Sequence, residues 1–591
     1  MLRMKKYQLK FLKDKFFLST LVGLIIFMFL NMGCSISDKN TSNEGKPNII
    51  LVMIDNVGFP EFGINGNDLV KTPNLDRFAR EGVQFSRFYS NPMCAPTRAS
   101  LMTGRYHYRT GVIHTSRGGA KMFGDELTIA EYLKSDGYAT GIFGKWHLGD
   151  NYPMRPRDQG FDETLIHKSG RLGQVPDAPN TYINPKLWQN GQLVQKEGYC
   201  TDLFFEAAIS FAEKNQNNPF FIYLPTNIAH TSLEVGLEVP EKYSTTYIAK
   251  GIDKKIATVC GMLNNFDENF ARLIASLDSL NLRDNTLVIF LSDDGNVRVN
   301  KGNLRGQGYA TPYEGSIKVP CFIQWPGHFN GGLMIDQIAS HIDILPTLVD
   351  ITGTSIDSGS VIDGVSLLPL LEGKAKHWAD RMLFLQCQRG MTPHRYQNSA
   401  VITERFKLIG YPGTFEERQL VTSRDNPVLE LYDIPADPAE TNNLAEHYPD
   451  ELKKLRSAYD LWFDDVKSSR QFSPGLIHIG SDAENPTYLC RYQDATYVNR
   501  KPTGWPVFIE HQGNYEIVIN RGGSSGKGHI CIQYDSTFVR QAIGHNENQA
   551  IFSLPFGEIK LNVWVEESGK DYVPRPDEDL IGDVLISPVS K

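Results

Sequence analysis

The sequence predicts an α/β fold with a mainly parallel central sheet flanked by helices. Three short apolar runs have the character of strands buried on both faces: NIILVMI over 48–54, FFIYL over 220–224 and TLVIFL over 286–291. Segments with helical apolar spacing lie between them, over 203–213 and 262–277. Strands that alternate with helices along the chain indicate a parallel sheet covered on both sides.

Changes in texture along the chain predict three folded parts. Residues 48–380 are expected to form the α/β domain and residues 381–470 a smaller C-terminal α+β subdomain. Residues 471–591, with short strands and turns, are expected to form an appended β-rich segment. Further elements are predicted as a helix over 128–135, strands over 138–143, 400–409 and 429–434, and a helix over 450–466.

The N-terminus predicts export. Met1–Lys15 carries six basic residues, 16–32 is mostly apolar, and Gly33-Cys34 follows. This order is typical of a bacterial lipoprotein signal peptide over 1–33, with Cys34 lipidated and a polar tether over 34–47. The alternative is a single membrane anchor. Both interpretations place the remaining chain outside the cytoplasm. The first makes it a periplasmic or outer-membrane lipoprotein that meets the membrane only through its lipid anchor.

Composition and cysteine usage exclude some classes. The formal net charge is -8 and no basic domain stands out, so nucleic acid is not expected as a partner. The chain has eight cysteines. Without Cys34 and Cys94, the remaining six are widely spaced and form no C-x-x-C pair, which is neither a zinc pattern nor a dense disulfide framework.

Three motifs carry candidate chemistry. Cys94-Ala95-Pro96-Thr97-Arg98 matches C-x-P-x-R, the pattern that formylglycine-generating enzymes modify. Taken alone, such a cysteine is more often a small buried apolar residue. GKWHLG over 144–149 and SDDG over 292–295 each follow a predicted strand. Because ligands of open α/β sheets bind at the carboxyl ends of strands, we expect the last two motifs to share one edge.

These motifs and the Asn48–Asn56 block, in this order, resemble the type I, formylglycine-dependent sulfatases of the alkaline phosphatase superfamily. The resemblance covers roughly 47–470 and includes three further stretches: DNYPMRPRDQGFDE from Asp150, PYEGSIKVP from Pro312 and HIDILPTL from His341. It implies an alkaline phosphatase-like fold and hydrolysis of sulfate esters. It also implies one bound Ca²⁺ and a maturation enzyme that oxidises Cys94 to formylglycine.

The resemblance implies a cation site made of Asp55, Asn56, Asp293 and Asp294 with the modified Cys94. Carboxylate and amide oxygens suit a hard cation such as Ca²⁺. The family usually has Asp-Asp in the first pair and Asp-Asn in the second, whereas this chain has the amide in the first pair. Since three carboxylates and one amide remain, we expect the cation to be retained.

The resemblance also implies catalytic roles. Arg98 matches the residue that orients the modified side chain, and Lys145 matches a cation that binds sulfate and the aldehyde hydrate. His147 matches the base that releases sulfate and restores the aldehyde. His230 matches a histidine that contacts sulfate and protonates the leaving oxygen. Without the family context, His230 would be interpreted as a structural histidine.

One family position is different in this chain. Between Arg305 and Tyr313 the family usually has a lysine that binds sulfate, and this chain has none there. Lys301 is the nearby candidate replacement. Four loop residues are predicted to contact substrate, and three of them lie in HKSGRLGQ over 167–174, which resembles HKGGGIGQ of a bacterial sulfatase subgroup. The alternative is ordinary loop polarity. They are His114, His167, Lys168 and Arg171.

The function predicted from the sequence is hydrolysis of sulfate esters, on a sulfated polysaccharide or oligosaccharide. The first alternative is a phosphodiesterase or phosphonate hydrolase of the same superfamily, which would share the metal and formylglycine. The second is a weakly active or inactive homologue that binds sulfated glycans, a hypothesis that the missing lysine motivates.

Overall fold

The structure is a computed structural model. It describes residues 45–295, 298–300, 302–306, 311–357, 359–375, 377–410, 427–498, 501–520, 527–567 and 583–589. The predicted signal peptide, Cys34 and Lys301 lie outside the described residues. None of the helices in the described part of the chain is long and apolar enough to span a bilayer.

A ten-stranded sheet lies at the centre of the unit formed by Pro47–Lys591. Its five central strands pair in parallel, and antiparallel pairs occur on both sides of them. The sheet is therefore mixed, and the predicted parallel arrangement describes its centre. Across the sheet the strands are Leu333–Ile335, Val83–Phe85, Cys321–Gln324, Thr286–Ser292, Asn48–Ile54, Phe220–Pro225, Ala139–Lys145, Glu163–His167, Lys186–Gln189 and Gln192–Gln195.

Helices cover both faces of this sheet. Every residue of Asn48–Ile54 is buried, and alternate side chains join two separate apolar cores, as the two-residue period of a strand requires. One core includes helices Cys94–Thr103, Ile129–Ser135 and Ile344–Thr352. The opposite core includes Pro73–Glu81, Cys200–Lys214, Glu241–Ile248 and Lys254–Ser279. The predicted α/β fold is confirmed.

Caps explain two helix starts. The Thr128 side chain accepts a hydrogen bond from the backbone N–H of Glu131, and the Glu131 carboxylate accepts one from the backbone N–H of Thr128. This capping box starts the predicted helix at Ile129. The long helix begins at Lys254, whereas the predicted apolar pattern begins at Met262. The Asp253 side chain caps it by accepting from two backbone N–H groups.

The C-terminal subdomain is an antiparallel four-stranded sheet with one long helix, Pro449–Arg470, packed on it. The stretch 400–409 was predicted as one strand and is instead a hairpin. Its turn forms because Thr403 pairs with Phe406 through both backbone and side chain. The four strands are Leu383–Gln386, Ser399–Ile402, Phe406–Gly410 and Leu429–Asp433.

Residues from Ile477 onward form two further sheets around their own apolar core, as the sequence predicted for a β-rich segment. The first contains Ile477–Ile479, Lys501–Ile509, Gly557–Glu567, Gly528–Tyr534 and Thr537–Ile543, with Thr496–Val498 paired to Lys501–Ile509. The second contains Thr487–Leu489, Val584–Pro588, Gly513–Ile519 and Gln549–Leu554. The remaining elements are a small sheet of Phe88–Tyr89, Lys318–Val319 and Ala339–Ser340, the short helices Glu314–Ile317, Leu368–Leu371 and Arg491–Asp494, and the 3₁₀ turns Phe59–Glu61, Gly63–Asn65, His107–Thr110, Arg283–Asn285 and His341–Asp343.

Candidate functional site

Two neighbouring strands deliver the acidic pairs to one edge of the sheet. Strands Asn48–Ile54 and Thr286–Ser292 run in parallel with Ile54 opposite Ser292, so the residues that follow each strand lie side by side. The backbone N–H of Asn56 donates to Oδ1 of Asp293 at 3.0 Å. Asn56 has a φ of 59°, a left-handed conformation that costs energy in a residue other than glycine and is common at functional sites.

Cys94 begins the buried helix Cys94–Thr103 and is only 3% exposed. Burial raises the pKa of its thiol to about 12, although the charge of Lys145 opposes this shift. An unmodified Cys94 is therefore a protonated thiol at neutral pH and a poor nucleophile. Its position at a helix N-terminus, where backbone N–H groups are unpaired, favours an anionic group next to residue 94.

Two buried cations bind the carboxylates beside Cys94. Arg98 donates to Oδ2 of Asp293 from Nε at 3.1 Å and from Nη2 at 2.7 Å, and to the carbonyl of Lys145 at 2.8 Å. Lys145 Nζ donates to Oδ2 of Asp55 at 2.6 Å. All four side chains are fully buried. Charges buried in this way are tolerated because they are paired and hydrogen-bonded.

The hydrogen bonds of His147 determine which ring nitrogen carries the proton. Nε2 lies 2.8 Å from the carbonyl oxygen of Thr115, which can only accept, so Nε2 carries the hydrogen. Nδ1 is then free to accept and lies 3.4 Å from Sγ of Cys94. Burial, and then the charge of Lys145, lower the pKa of His147 well below its ordinary value. The neutral imidazole therefore presents a lone pair to residue 94.

Asn56 links Asp294 to His230. One end of its amide lies 2.8 Å from both carboxylate oxygens of Asp294, and the other end lies 3.2 Å from Nε2 of His230. His230 Nδ1 faces the carbonyl of Thr231 at 3.0 Å and so carries the hydrogen of the neutral ring. Nε2 then needs a donor, so the amide nitrogen faces His230 and the amide oxygen faces Asp294.

This arrangement fits a hard cation at the sheet edge. Close approach of the Asn56 amide oxygen to the Asp294 carboxylate is unfavourable unless a cation lies between them. Three carboxylates also outnumber the two buried cations, Arg98 and Lys145. In the described part of the chain, no three His, Cys, Asp or Glu side chains are grouped as metal ligands, and two of the carboxylates, Asp55 and Asp293, are engaged in ion pairs.

The predicted substrate-contact residues divide into two groups. His114 and His167 are fully buried and do not lie on an exposed rim, and Nε2 of each has no hydrogen-bond partner among the residues that the structure describes. Lys168 places Nζ 4.1 Å from the centroid of the Trp188 ring. Arg171 donates to Thr231 at 3.5 Å and so lies beside the His230 loop.

Sequence reasoning missed two residues around His230. The hydroxyl of Tyr182 donates to the carbonyls of Asn227 and His230 and fixes this loop. Arg298 lies in the loop after Asp294, where the backbone N–H groups of Arg298 and Val299 donate to the buried carboxylate of Glu61. Burial and the charge of Lys145 are the larger causes of the lowered pKa of His230, and the charge of Arg298 adds to them. Its sequence position, three residues before Lys301, could have marked it as a second candidate cation.

The seven cysteines in the described part of the chain, Cys94 among them, are free and buried. In the six others, burial is the largest effect on the thiol and raises its pKa; they are Cys200, Cys260, Cys321, Cys387, Cys490 and Cys531. Cys94 is therefore distinguished by its surroundings among the described cysteines.

Comparisons with known proteins identify the family of this chain. A family model described as Sulfatase matches residues 47–354, and one described as N-sulphoglucosamine sulphohydrolase, C-terminal, matches 310–458. The chain is 28% identical to human steryl-sulfatase over 524 residues, which are 70% of this chain and 88% of that protein. It is 30% identical to mouse N-acetylgalactosamine-6-sulfatase over 368 residues, 57% of this chain and 68% of that protein.

A solved structure described as Ps i-CgsB in complex with k-i-k-neocarrahexaose is also similar. It has 26% sequence identity and a TM-score of 0.63, over 73% of this chain and 95% of that chain. The family model alone matches more than half of this sequence and includes Asp55, Cys94, Arg98, His147 and Asp293. The chain therefore belongs to the sulfatase family of the alkaline phosphatase superfamily and is a sulfuric ester hydrolase.

Proposed function

We propose that this enzyme removes sulfate from a sulfated polysaccharide or oligosaccharide, with residue 94 as formylglycine and one Ca²⁺ at the sheet edge. The observation that carries the proposal is the enclosure of Cys94 between the acceptor Nδ1 of His147 and the buried pairs Arg98–Asp293 and Lys145–Asp55. The carbohydrate part is supported by two similar proteins, an N-acetylgalactosamine-6-sulfatase and a protein solved with a neocarrahexaose.

Asp55, Asn56, Asp293 and Asp294 would hold the Ca²⁺. The cation would supply positive charge to polarise the attacking oxygen and the sulfate oxygens. Formylglycine at residue 94 would supply, as its hydrate, one hydroxyl to attack sulfur and a second to expel sulfate. The roles of the cation and of formylglycine are both favoured by a site that is shielded from bulk water and holds its charged side chains in place. The buried Arg98–Asp293 and Lys145–Asp55 pairs are such side chains.

The chain's own residues then have distinct tasks. His147 Nδ1 accepts the proton of the hydroxyl at residue 94 when sulfate is released. Arg98 holds Asp293 in place, and Lys145 places a positive charge between Asp55 and residue 94. His230 presents an acceptor in the absence of substrate. The negative charge of an entering sulfate ester raises the pKa of His230, so that Nε2 takes up a proton from solvent and then donates it to the leaving oxygen.

Arg171 donates to Thr231 beside His230, and the charge of Arg298 acts on His230 after burial and the charge of Lys145, so these two arginines are proposed to take over the charge of the missing lysine. The exported location, the lipid anchor at Cys34 and the need for a sulfatase-maturing enzyme are also proposals, supported by the N-terminal sequence and by the C-x-P-x-R motif.

The test is a parallel assay of the purified, formylglycine-containing enzyme on an aryl sulfate, an aryl phosphodiester and a panel of defined sulfated saccharides. The proposal expects hydrolysis of the sulfate ester and a preference for one saccharide. Faster turnover of the phosphodiester would favour the phosphodiesterase alternative. Saccharide binding without sulfate release would favour a glycan-binding homologue.

A further inference from the structure

His147 is packed between two loops. Its Nε2 donates to Thr115 in the loop 114–121, and the backbone of Gly170 in the loop 169–174 lies against the other side of the ring. A Cβ added at Gly170 would lie 2.7 Å from both Cε1 and Nε2 of His147, so only glycine allows this approach. The position of the imidazole therefore depends on where the backbone of these two loops lies.

The loop 169–174 is closed by one side-chain oxygen. Oε1 of Gln174 accepts from the backbone N–H groups of Gly170 and Arg171, each at 2.9 Å. It also accepts from Nε2 of Gln493 at 3.0 Å. Gln174 and Gln493 are 9% and 5% exposed, so this amide pair is shielded from water. Gln493 thus holds the oxygen of Gln174 towards the N–H groups of the loop.

The segment Tyr492–Asp494 also holds the second loop. The carbonyl oxygens of Tyr492 and Gln493 accept from the backbone N–H groups of Arg117 at 2.8 Å and Gly118 at 2.7 Å. The carbonyl of Asp494 accepts from Nζ of Lys121, a fully buried side chain, at 2.8 Å. One short stretch of the C-terminal extension therefore contacts both loops that touch His147.

We propose that Tyr492–Asp494 is part of the active site and that Gln493 is a positioning residue for His147. The segment lies beyond the family-model matches, which end at residue 458. The β-rich extension therefore contributes to the active site, because its short helix Arg491–Asp494 fixes the geometry of a proton acceptor in the α/β domain. This inference rests on the proposed role of His147 as the base that releases sulfate.

The experiment compares the full-length, formylglycine-containing enzyme with two variants of Gln493. Gln493→Met keeps the approximate side-chain volume and loses the amide N–H donor. Gln493→Glu places a carboxylate next to Oε1 of Gln174 and repels it. We expect kcat on an aryl sulfate to fall about tenfold or more in Gln493→Met and further in Gln493→Glu, with KM changed less than threefold. The matched control is Gln541→Met, at an exposed position of the same extension, and it should keep wild-type kcat.

Thermal unfolding separates positioning from instability. The proposal expects the kcat loss of Gln493→Met to persist at temperatures far below its melting midpoint. Wild-type kcat in Gln493→Met, or an equal loss in Gln541→Met, would overturn it. Crystal structures of the wild type and of Gln493→Met test the positioning role independently of activity. An inactive wild type would refute the proposed function but would leave this structural test valid. We expect the distance between His147 Nδ1 and residue 94 to change in Gln493→Met, and an unchanged distance would refute the positioning role.

Discussion

The guanidinium of Arg98 donates two hydrogen bonds to a single carboxylate oxygen, Oδ2 of Asp293, at 3.1 and 2.7 Å, with both side chains fully buried. This ion pair joins the helix that begins at Cys94 to the strand end that carries the second acidic pair. It therefore sets the position of residue 94 relative to the proposed cation site, and the stability of the fold and the geometry of the site depend on the same contact.

We predict that Arg98→Ala destabilises the protein by about 3–5 kcal/mol, because it leaves the buried carboxylate of Asp293 without its arginine partner. Chemical denaturation measures the change. The matched control is Arg272→Ala, whose partner Glu206 is 3.5 Å away and half exposed, for which about 0–1 kcal/mol is expected. Equal effects of the two substitutions would show that the buried pair has no special structural role.

The exchanged amide gives a second prediction. Asn56→Asp combined with Asp294→Asn restores the usual family order and keeps three carboxylates and one amide, so Ca²⁺ affinity measured by calorimetry should stay within about threefold of wild type. Asp294→Asn alone removes a carboxylate and should weaken Ca²⁺ binding roughly 10–100-fold. If the double variant binds as weakly as the single one, the two positions do not share one cation.

The pH dependence of stability gives a third prediction. Burial, and the charges of Arg389 and Arg117, lower the pKa of His114 to about 3. Below the unfolded-state pKa of about 6.5, the unfolded chain takes up a proton that the folded chain refuses. Stability is therefore lost as the pH falls from about 6.5 towards 3, by up to about 1.4 kcal/mol per pH unit for this histidine.

His114→Gln removes this contribution. Relative to wild type, its loss of stability between pH 7 and pH 5 should be smaller by about 2 kcal/mol in denaturant titrations. If His114→Gln and wild type have parallel pH profiles, then His114 is protonated to the same extent in the folded and unfolded states.

The cation near the leaving group gives a fourth prediction. If Arg298 takes over the charge of the missing lysine, Arg298→Ala should lower kcat/KM on an aryl sulfate by about 10²-fold, and Arg298→Lys should recover part of it. Steady-state kinetics on these variants and on Lys301→Ala separate the two candidates. A large loss in Lys301→Ala with none in Arg298→Ala would assign the role to Lys301, as the sequence suggested.

Much of the fold follows from local patterns in the sequence. The uninterrupted apolar run Asn48–Ile54 predicted a strand with no exposed face, and it lies at the centre of the sheet with every residue buried. Apolar spacing placed the middle of the long helix but not its start, which is set by the cap at Asp253. The turn inside 400–409 was missed because its signal is the hydrogen bonding of one threonine, Thr403.

The site shows the same limit. Motifs that follow strand ends identified Asp55, Lys145 and Asp293, because parallel strands bring their carboxyl ends to one edge. The contact of Gln493 with Gln174, by contrast, joins residues 319 positions apart. No local pattern carries such a contact, and a glutamine in a β-rich segment has no signal that separates it from an ordinary polar residue.

Peptide mass spectrometry of residue 94 tests the central claim most directly. In a preparation that hydrolyses an aryl sulfate, the peptide that contains residue 94 should be about 18 Da lighter than its cysteine form, because an aldehyde replaces the thiol. Conversion should be absent, together with activity, in Cys94→Ala. An active preparation in which this peptide carries only unmodified cysteine would contradict the account.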